Sequence, residues 1–397
     1  MQQNSVLTPH RNSPLVPVIS LSLFAIASGF LMSLIPLALD ERGMSLNLAS
    51  WLASVFYAGV LGGALSNTKV IYKFGHLNAL VAFLLVIVST ICIMAFFSTP
   101  VVWLGSRFIA GIAVAGVFVV IESWLLMAET EKARARRLGL YMIALYGGAA
   151  LSQLGIGLFG TVGAIPMMIV AGVMSTAILP PLVFRNDSPK KIVHPRIKLR
   201  EMNKLPSAAY IGCIVSGLVL GVIYGLLPLE LESKFSHDQV GTLMALVILG
   251  GMSVQPLISW LNVRVEKALL MAIFCFTGLL SIAMIEIATM TGGTIAGLFL
   301  LGVSAFALYP IAITLACMKV CESKIISVTE LMLLSYCIGS VIGPVVAGHV
   351  MGAQEGLMIY FAVCFAATLI YMLISIKYSR RRTLLSHSSV DSKSQYD

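Results

Sequence analysis

The chain has 397 residues, of which 58% are hydrophobic and 11% are charged. Soluble domains carry about 25% charged residues, so a soluble protein of this composition could not cover its surface with polar side chains. The net charge of +9 does not indicate nucleic-acid binding, because the basic residues lie in separate short segments between apolar stretches, as they do in membrane proteins.

Apolar stretches that are long enough to cross a bilayer follow one another along the chain. A spanning helix needs about 20 mainly apolar residues, and the lipid core favours helices because every backbone polar group must be paired internally. The short alternating segments of a β-barrel do not occur. We therefore predict an all-α integral membrane protein with twelve transmembrane helices. The predicted spans are 15–39, 47–67, 77–98, 101–127, 138–160, 163–184, 207–230, 240–261, 268–289, 293–317, 327–351 and 356–376.

The basic residues lie almost entirely on one side of this predicted topology. Of the 26 lysines and arginines, all except Arg42, Arg107 and Lys234 fall in the two tails or in the loops that follow even-numbered spans. Cytoplasmic loops of membrane proteins are enriched in Lys and Arg, so both termini are predicted to be cytoplasmic. One span more or fewer would move the later loops to the other side, so this distribution supports the number twelve.

The longest polar stretch between spans lies at the middle of the chain. We interpret residues 185–206 as a cytoplasmic linker between two six-helix halves, 1–184 and 207–376, and residues 377–397 as a disordered cytoplasmic tail. Segments of the two halves resemble each other at a nearly constant offset of about 190 residues, which indicates an internal duplication.

Two charged residues fall inside predicted span 4. Glu122 lies among apolar residues, where a carboxylate costs about 2.5–3.5 kcal/mol, so we expect it to face a cavity or a partner as a proton-coupling or substrate-contacting group. The alternative is a glutamate near the cytoplasmic helix end that pairs with Arg134 or Arg136. Arg107 lies roughly 22 Å from Glu122 along the helix axis. A buried arginine favours an anionic substrate group or a carboxylate partner, and the alternative is a structural contact with backbone carbonyls.

Further polar residues lie within the predicted spans or at their ends. Buried polar groups must find partners, so each of these residues either lines a polar path or bonds to a neighbouring helix. The candidates for a substrate or proton pathway are Tyr146, Gln153, Tyr224, Glu230, Tyr309 and Tyr336.

Glycines and prolines recur in several spans. Small residues let helices pack closely in lipid, whereas a proline breaks or bends a helix. The candidates for packing or gating are Gly111, Gly217, Gly221, Gly225, Pro310, Gly339, Gly343 and Pro344.

Sequence motifs of common enzymes and nucleotide-driven pumps are absent. The chain contains no GxxxxGK[ST], HExxH or GxSxG pattern, so we expect neither enzymatic activity nor ATP as the energy source. The seven cysteines form no CxxC pair, and we interpret them as small buried apolar residues. We expect no cofactor and no metal.

Four stretches of the chain resemble the major facilitator superfamily (MFS), and more closely its YcaD-like bacterial subgroup. The stretches are Arg107–Met127, Gly212–Leu231, Leu308–Val320 and Leu334–Pro344. The resemblance covers the whole chain and implies the MFS fold, two six-helix halves and transport. It also implies that Arg107 matches the basic residue that the superfamily links to proton coupling.

The loop 2–3 motif of the superfamily is only partly present. Lys73 and Gly75 remain as gating candidates, whereas Thr68 and Tyr72 replace the first glycine and the aspartate of the motif. The glycine–proline motif of antiporters is absent from span 5, so the resemblance does not indicate an antiporter.

These features predict a secondary transporter that moves a small solute across the bacterial inner membrane by alternating access. We expect a monomer in the lipid bilayer, with the proton-motive force as the candidate energy source and no nucleic-acid partner. The alternative is a non-transporting MFS-fold sensor or receptor, which would bind a ligand without moving it.

Overall fold

The computed structural model describes residues 14–126, 131–184, 205–287, 291–318, 320, 325–351 and 356–391. Regular structure in these ranges is helical. The helices before the middle of the chain are α1 (Leu15–Leu37), α2 (Leu48–Phe74), α3 (His76–Phe96), α4 (Pro100–Leu126), α5 (Glu131–Met142), a π turn (Ile143–Gly147), α6 (Gly148–Phe159), α7 (Ile165–Thr176) and α8 (Leu179–Val183). The later helices are α9 (Ser207–Gly225), α10 (Leu227–Lys234), α11 (His237–Leu261), α12 (Lys267–Ile287), α13 (Thr291–Cys317), α14 (Ile325–Val350) and α15 (Gly356–Asp391).

Twelve helical stretches in the described ranges are long and apolar enough to cross a membrane. This confirms the predicted all-α class and the predicted number of spans. The fifth stretch combines the end of α5, the π turn and α6, and the sixth combines α7 and α8. Large apolar side chains on the outer surface, such as those of Leu85, Ile109 and Ile370, are exposed, as contact with lipid requires.

Prolines and one glycine explain where the structure departs from the predicted boundaries. Predicted span 7 is two helices, because α9 ends at Gly225 and Pro228 begins a new helix at its first turn, a position where proline needs no backbone donor. Predicted span 2 continues to Phe74 and ends at Gly75. The φ angle of Gly75 is +80°, a conformation that glycine adopts without steric cost.

The C-terminal segment also differs from the sequence prediction. Residues from 377 onward were expected to be disordered, whereas α15 continues as a helix to Asp391. The segment between 377 and 391 contains no proline and no glycine, and its arginines and leucines have high helix propensity.

The chain divides into two compact units. Unit 1 comprises Met1–Pro195 and Tyr224–Ala245, and unit 2 comprises Arg196–Ile223 and Leu246–Asp397. Thus α10 and the first turns of α11 pack with unit 1, although we predicted that they belong to the second half of the chain. Most of the predicted linker, 185–204, lies outside the described residues, and the predicted domain boundaries remain a prediction.

Each unit contains a helix crossing in which glycines bring two backbones into contact. In unit 1, a Cβ atom on Gly111 of α4 would lie 2.1 Å from the carbonyl oxygen of Phe56 on α2. In unit 2, a Cβ atom on Gly302 of α13 would lie 1.9 Å from the carbonyl oxygen of Val247 on α11. Gly111 and Gly302 are 191 residues apart, so the two crossings agree with the repeat offset seen in the sequence.

Candidate functional site

Arg107 lies in α4 and is only 4% exposed. Its guanidinium carbon is 4.0 Å from the ring centroid of Phe56, and its Nη2 atom is 3.2 Å from the sulfur of Met32. The Nε atom of Arg107 is buried and has no hydrogen-bond partner in the part of the chain that the structure describes. The neighbours of this cation are therefore largely apolar and come from α1 and α2.

Neither sequence-based expectation for a protein partner of Arg107 is met in the described ranges. Among the described residues, no carboxylate lies within 4.0 Å of its guanidinium, and no backbone carbonyl accepts a hydrogen bond from it. The phenol of Tyr57 is the ionisable neighbour that interacts with it electrostatically. A buried charge without a hydrogen-bonded counterion is costly, so this part of unit 1 is suited to receive an anionic group.

Glu122 lies near the other end of α4. Its Oε1 atom accepts a hydrogen bond of 2.9 Å from the hydroxyl of Tyr141 on α5. The glutamate is exposed, whereas Tyr141 is only 6% exposed. The predicted alternative partner Arg136 does not pair with it, and the side chain of Arg134 lies outside the described residues. Among the described residues, the partner of Glu122 is thus a neutral phenol.

Gln153 of α6 is fully buried and joins two helices. Its Nε2 atom donates to the carbonyl of Gly29 at 2.8 Å, and its Oε1 atom accepts from the hydroxyl of Ser33 at 2.7 Å. Because Gly29 and Ser33 both lie on α1, these bonds favour the packing interpretation of Gln153 over the pathway interpretation.

Tyr146 lies in the π turn between α5 and α6 and is half-buried. Short π-helical segments inside α-helices are frequent at functional sites, because the extra residue changes the direction of nearby side chains. Gly148 follows directly, and a Cβ atom there would lie 2.9 Å from the Cβ atom of Ala25 on α1. The irregular turn is thus held against α1.

Tyr309 of α13 and Tyr336 of α14 are neighbours in unit 2. Their ring centroids are 5.1 Å apart at an interplanar angle of 59°, which is a favourable aromatic arrangement. Both rings are half-buried. The sequence predicted each tyrosine as a pathway candidate but gave no sign that the two meet.

Glu230 and Tyr224 both belong to unit 1. Glu230 is 8% exposed, and its carboxylate forms an ion pair of 3.0 Å with Lys234, one turn later in α10. Tyr224 is half-buried near the end of α9. Because Glu230 is already paired with Lys234, it is less available to bind a substrate than we expected from the sequence.

The predicted packing glycines of α9 and α14 lie at one helix crossing in unit 2. A Cβ atom on Gly217 would lie 2.0 Å from the carbonyl oxygen of Tyr336, and one on Gly339 would lie 2.0 Å from that of Ile214. Gly221 and Gly343 continue the same contact. Any side chain at these positions would push the two backbones apart.

The remaining gating candidates are less closely tied to other helices. Pro310 and Pro344 lie inside α13 and α14, and a Cβ atom on Gly225 would lie 2.6 Å from the Cβ atom of Ala53. Lys73 is exposed, and its Nζ atom contacts the ring of Phe74 at 5.4 Å. No carboxylate of the described ranges pairs with Lys73, so the charge pair of the superfamily motif is not formed there.

Two groups of polar residues were missed by the sequence analysis. Glu330 lies in the first turns of α14, and its Oε2 atom is buried without a hydrogen-bond partner among the described residues. An acidic residue in an apolar span is itself a signal of function, so Glu330 could have been found. The second group is Thr161, His237 and Glu232, which are connected by hydrogen bonds. Thr161 is 76 residues from His237 in the sequence, and no sequence pattern marks their proximity.

The chain is similar to known membrane transporters over almost its whole length. The sequence profile described as Major Facilitator Superfamily matches residues 18–344. An uncharacterized MFS-type transporter of Yersinia enterocolitica is 31% identical over 378 residues, which cover 91% of this chain and 95% of the relative. The uncharacterized MFS-type transporter YcaD of Escherichia coli is 32% identical over 368 residues, which cover 90% of this chain and 93% of the relative. The resemblance predicted from the sequence is thereby confirmed.

A solved structure supports the same fold. The crystal structure of a mutant of the nucleoside transporter NupG matches with a TM-score of 0.75 at 14% identity, and covers 91% of this chain and 98% of that chain. At this level of identity the similarity establishes the fold and not the solute.

Proposed function

The chain belongs to the Major Facilitator Superfamily, and on that premise we propose that it is a secondary transporter for a small solute with an anionic group. It works by alternating access in the bacterial inner membrane, with both termini in the cytoplasm. Arg107 is the observation that carries the proposal, because it is a buried cation for which the described chain supplies no counterion.

The surroundings of Arg107 do not offset the cost of its burial. A cation–π contact such as that with Phe56 contributes about 0.5–2 kcal/mol, whereas an ion loses several kcal/mol when it is transferred from water into a protein interior. A carboxylate or phosphate on the solute would pair with the planar guanidinium in bidentate geometry. Binding of the solute would therefore remove an electrostatic penalty that the empty protein carries.

Glu122 is the proposed proton acceptor. Its carboxylate is exposed and accepts a hydrogen bond from the hydroxyl group of Tyr141. Within a membrane segment, ionisable side chains commonly belong to proton relays or ion pathways. Proton exchange at Glu122 would couple solute movement to the proton-motive force.

A thermal-shift screen of small anions on purified protein tests the solute class. A solute that binds the folded protein raises its thermal midpoint by mass action. We expect stabilisation by at least one carboxylated or phosphorylated solute, and we expect the Arg107→Met variant to lose that stabilisation. Stabilisation by cationic or neutral solutes alone, or an unchanged response of Arg107→Met, would contradict the proposal.

The role of Glu122 requires a second measurement. Replacement by glutamine keeps the hydrogen bond from Tyr141 possible but removes the exchangeable proton. In proteoliposomes, Glu122→Gln should abolish the acceleration of solute uptake by an imposed pH gradient and should leave solute exchange without a gradient intact. Uptake by the variant that still responds to the gradient would remove Glu122 from the mechanism.

The sensor alternative is favoured by one observation. Lys73 is exposed and has no acidic partner in the described chain, so the motif that closes the cytoplasmic side in the superfamily is incomplete. A sensor would show solute-dependent stabilisation without any solute flux.

A further inference from the structure

Thr161, His237 and Glu232 form a hydrogen-bonded chain in unit 1, which we call the His237 link. The Oγ1 atom of Thr161 is 3.0 Å from Nε2 of His237. The Nδ1 atom of the same ring is 2.9 Å from Oε1 of Glu232. We infer that His237 is a proton-binding group that fastens α10 and the start of α11 to the loop between α6 and α7.

The loop that carries Thr161 is itself held in place. Gly163, two residues further on, donates its N–H to both carboxylate oxygens of Glu41 at 2.9 and 3.0 Å. Its carbonyl accepts a bond of 2.9 Å from Nη2 of Arg42. Arg42 also donates to the carbonyls of Met94 and Ala95 at the end of α3. Thr161 is therefore presented by a loop that is tied to the body of unit 1.

The segment on the other side of the link connects the two units along the chain. Residues 224–245 pack in unit 1, whereas α9 up to Ile223 and α11 from Leu246 onward belong to unit 2. Their packing is close, since a Cβ atom on Gly241 would lie 2.2 Å from the carbonyl oxygen of Gln153 on α6. A bond that holds this segment to the α6–α7 loop therefore acts at the point where the chain passes between units.

Both ring nitrogens of His237 form hydrogen bonds. Protonation of the ring therefore changes the character of these bonds but does not break them. In the neutral ring, an Nδ1–H group donates to Glu232 and Nε2 accepts from the hydroxyl of Thr161. A proton gained at Nε2 makes this atom a donor to the Oγ1 atom of Thr161. The charged Nε2–H···Oγ1 bond to Thr161 is stronger than the neutral bond that it replaces, whereas the contact with Glu232, five residues before His237, becomes an ion pair within the fastened segment. Protonation of the ring thus strengthens the bond that joins the start of α11 to the α6–α7 loop.

Few other charges act on the ring. Helices α1 and α6, which pack against this region, carry no ionisable side chain, and neither does the loop 160–164. The charged groups in this part of the described chain are Asp40, Glu41, Arg42, Glu230, Glu232, Lys234 and Asp238. Lys234 is paired with Glu230, and Glu41 and Arg42 bind Gly163 at the other side of the loop. Glu232 is thus the one carboxylate among these groups that is bonded to the His237 ring.

The consequence for transport rests on the proposed function. In the transport cycle, protonation of His237 would slow the separation of α10 and the start of α11 from the α6–α7 loop. The fastening itself can be measured without a solute, so it can fail or hold independently of transport. The measurement is hydrogen–deuterium exchange of residues 240–245 in the full chain at pH 6 and pH 8, corrected for the intrinsic chemical exchange rate.

We expect the corrected exchange of the wild type to be about two- to fivefold slower at pH 6 than at pH 8, as one charge-assisted hydrogen bond at a partly exposed site allows. The His237→Gln variant cannot gain a proton and should lose this difference, and so should Thr161→Val, which lacks the oxygen that the charged ring bonds. The control His349→Gln should keep it, because within the described ranges His349 bonds to Val345 of its own helix and to no other residue. If the wild type shows no slower exchange at pH 6, or if either link variant retains the difference, the inference is wrong.

Discussion

Two arginines of unit 1 show how differently a protein can treat the same side chain. The guanidinium of Arg42 donates to three backbone carbonyls and to the hydroxyl of Ser98. Burial lowers the pKa of Arg42 from its ordinary value, although the neighbouring Glu41 raises it. Arg107 has a ring and a sulfur as neighbours instead. Arg42 is thus bonded to the backbone around it, whereas Arg107 is the residue that we propose binds the anionic group of the solute.

This contrast predicts opposite effects of the same substitution. Methionine at position 107 removes a buried charge without a counterion, so Arg107→Met should raise the thermal midpoint of the solute-free protein, by an amount equivalent to about 1–4 kcal/mol. Arg42→Met is the matched control and should lower the midpoint, because it leaves several backbone carbonyls without donors. Differential scanning fluorimetry in detergent measures both. A lower midpoint for Arg107→Met would contradict the description of Arg107 as uncompensated.

Gln153 supports a second prediction at the same scale. Replacement by leucine removes the bonds to Gly29 and Ser33 and leaves buried groups of α1 without partners, which costs about 1–3 kcal/mol. Gln255→Leu is the control, since Gln255 bonds only within α11. We expect a clearly lower thermal midpoint for Gln153→Leu and a nearly unchanged one for Gln255→Leu. Equal midpoints for the two variants would mean that the bonds between α1 and α6 contribute little.

At the scale of helices, glycines determine which pairs can meet. Gly217 and Gly339 bring α9 and α14 into backbone contact, and van der Waals packing of this kind is what holds helices together in lipid. The crossing of α2 with α4 follows the same rule through Gly111. The distance between two crossing helices therefore depends on glycines, which carry no side chain, as well as on the side chains that pack around them.

The α9–α14 crossing gives a direct prediction. Leucine at position 339 would collide with the carbonyl of Ile214, which cannot move without displacing α9. Gly339→Leu should therefore reduce the yield of folded protein and its thermal midpoint. Gly172→Ala is the control, because no other residue would contact the added Cβ atom and alanine has the higher helix propensity. Size-exclusion profiles and melting curves of the two variants measure the yield of folded protein and the thermal midpoint. If Gly339→Leu folds with an unchanged yield and midpoint, the close crossing of α9 and α14 is disproved.

The helices could be predicted from the sequence much better than the contacts between them. Span number followed from apolar length, because lipid imposes that length on each helix. The sequence analysis did not predict the division of span 7 at Pro228 or the extension of α15. Both depend on local backbone preferences, which a hydrophobicity pattern does not contain. Glu122 and Arg107 were found because charge is rare in a span, whereas the meeting of Tyr309 with Tyr336 requires tertiary structure.

At the scale of the whole molecule, the distribution of basic residues predicts how the chain lies in the membrane. The loops after even-numbered spans carry most of the lysines and arginines, so both termini should be cytoplasmic. Alkaline phosphatase is active only outside the cytoplasm. A phosphatase fused to the chain after residue 397 should therefore be inactive, and one fused after residue 235 should be active. An active C-terminal fusion would contradict the proposed orientation.

The central claim is that the protein moves a small anionic solute and that Arg107 binds it. The most direct test is uptake of a radiolabelled solute, selected by the thermal-shift screen, into proteoliposomes that contain the purified protein. The account predicts saturable uptake by the wild type and loss of uptake in Arg107→Met, with Arg107→Lys intermediate because lysine keeps the charge but not the bidentate geometry. A solute that stabilises the protein yet never enters the vesicles, or uptake by Arg107→Met equal to that of the wild type, would contradict it.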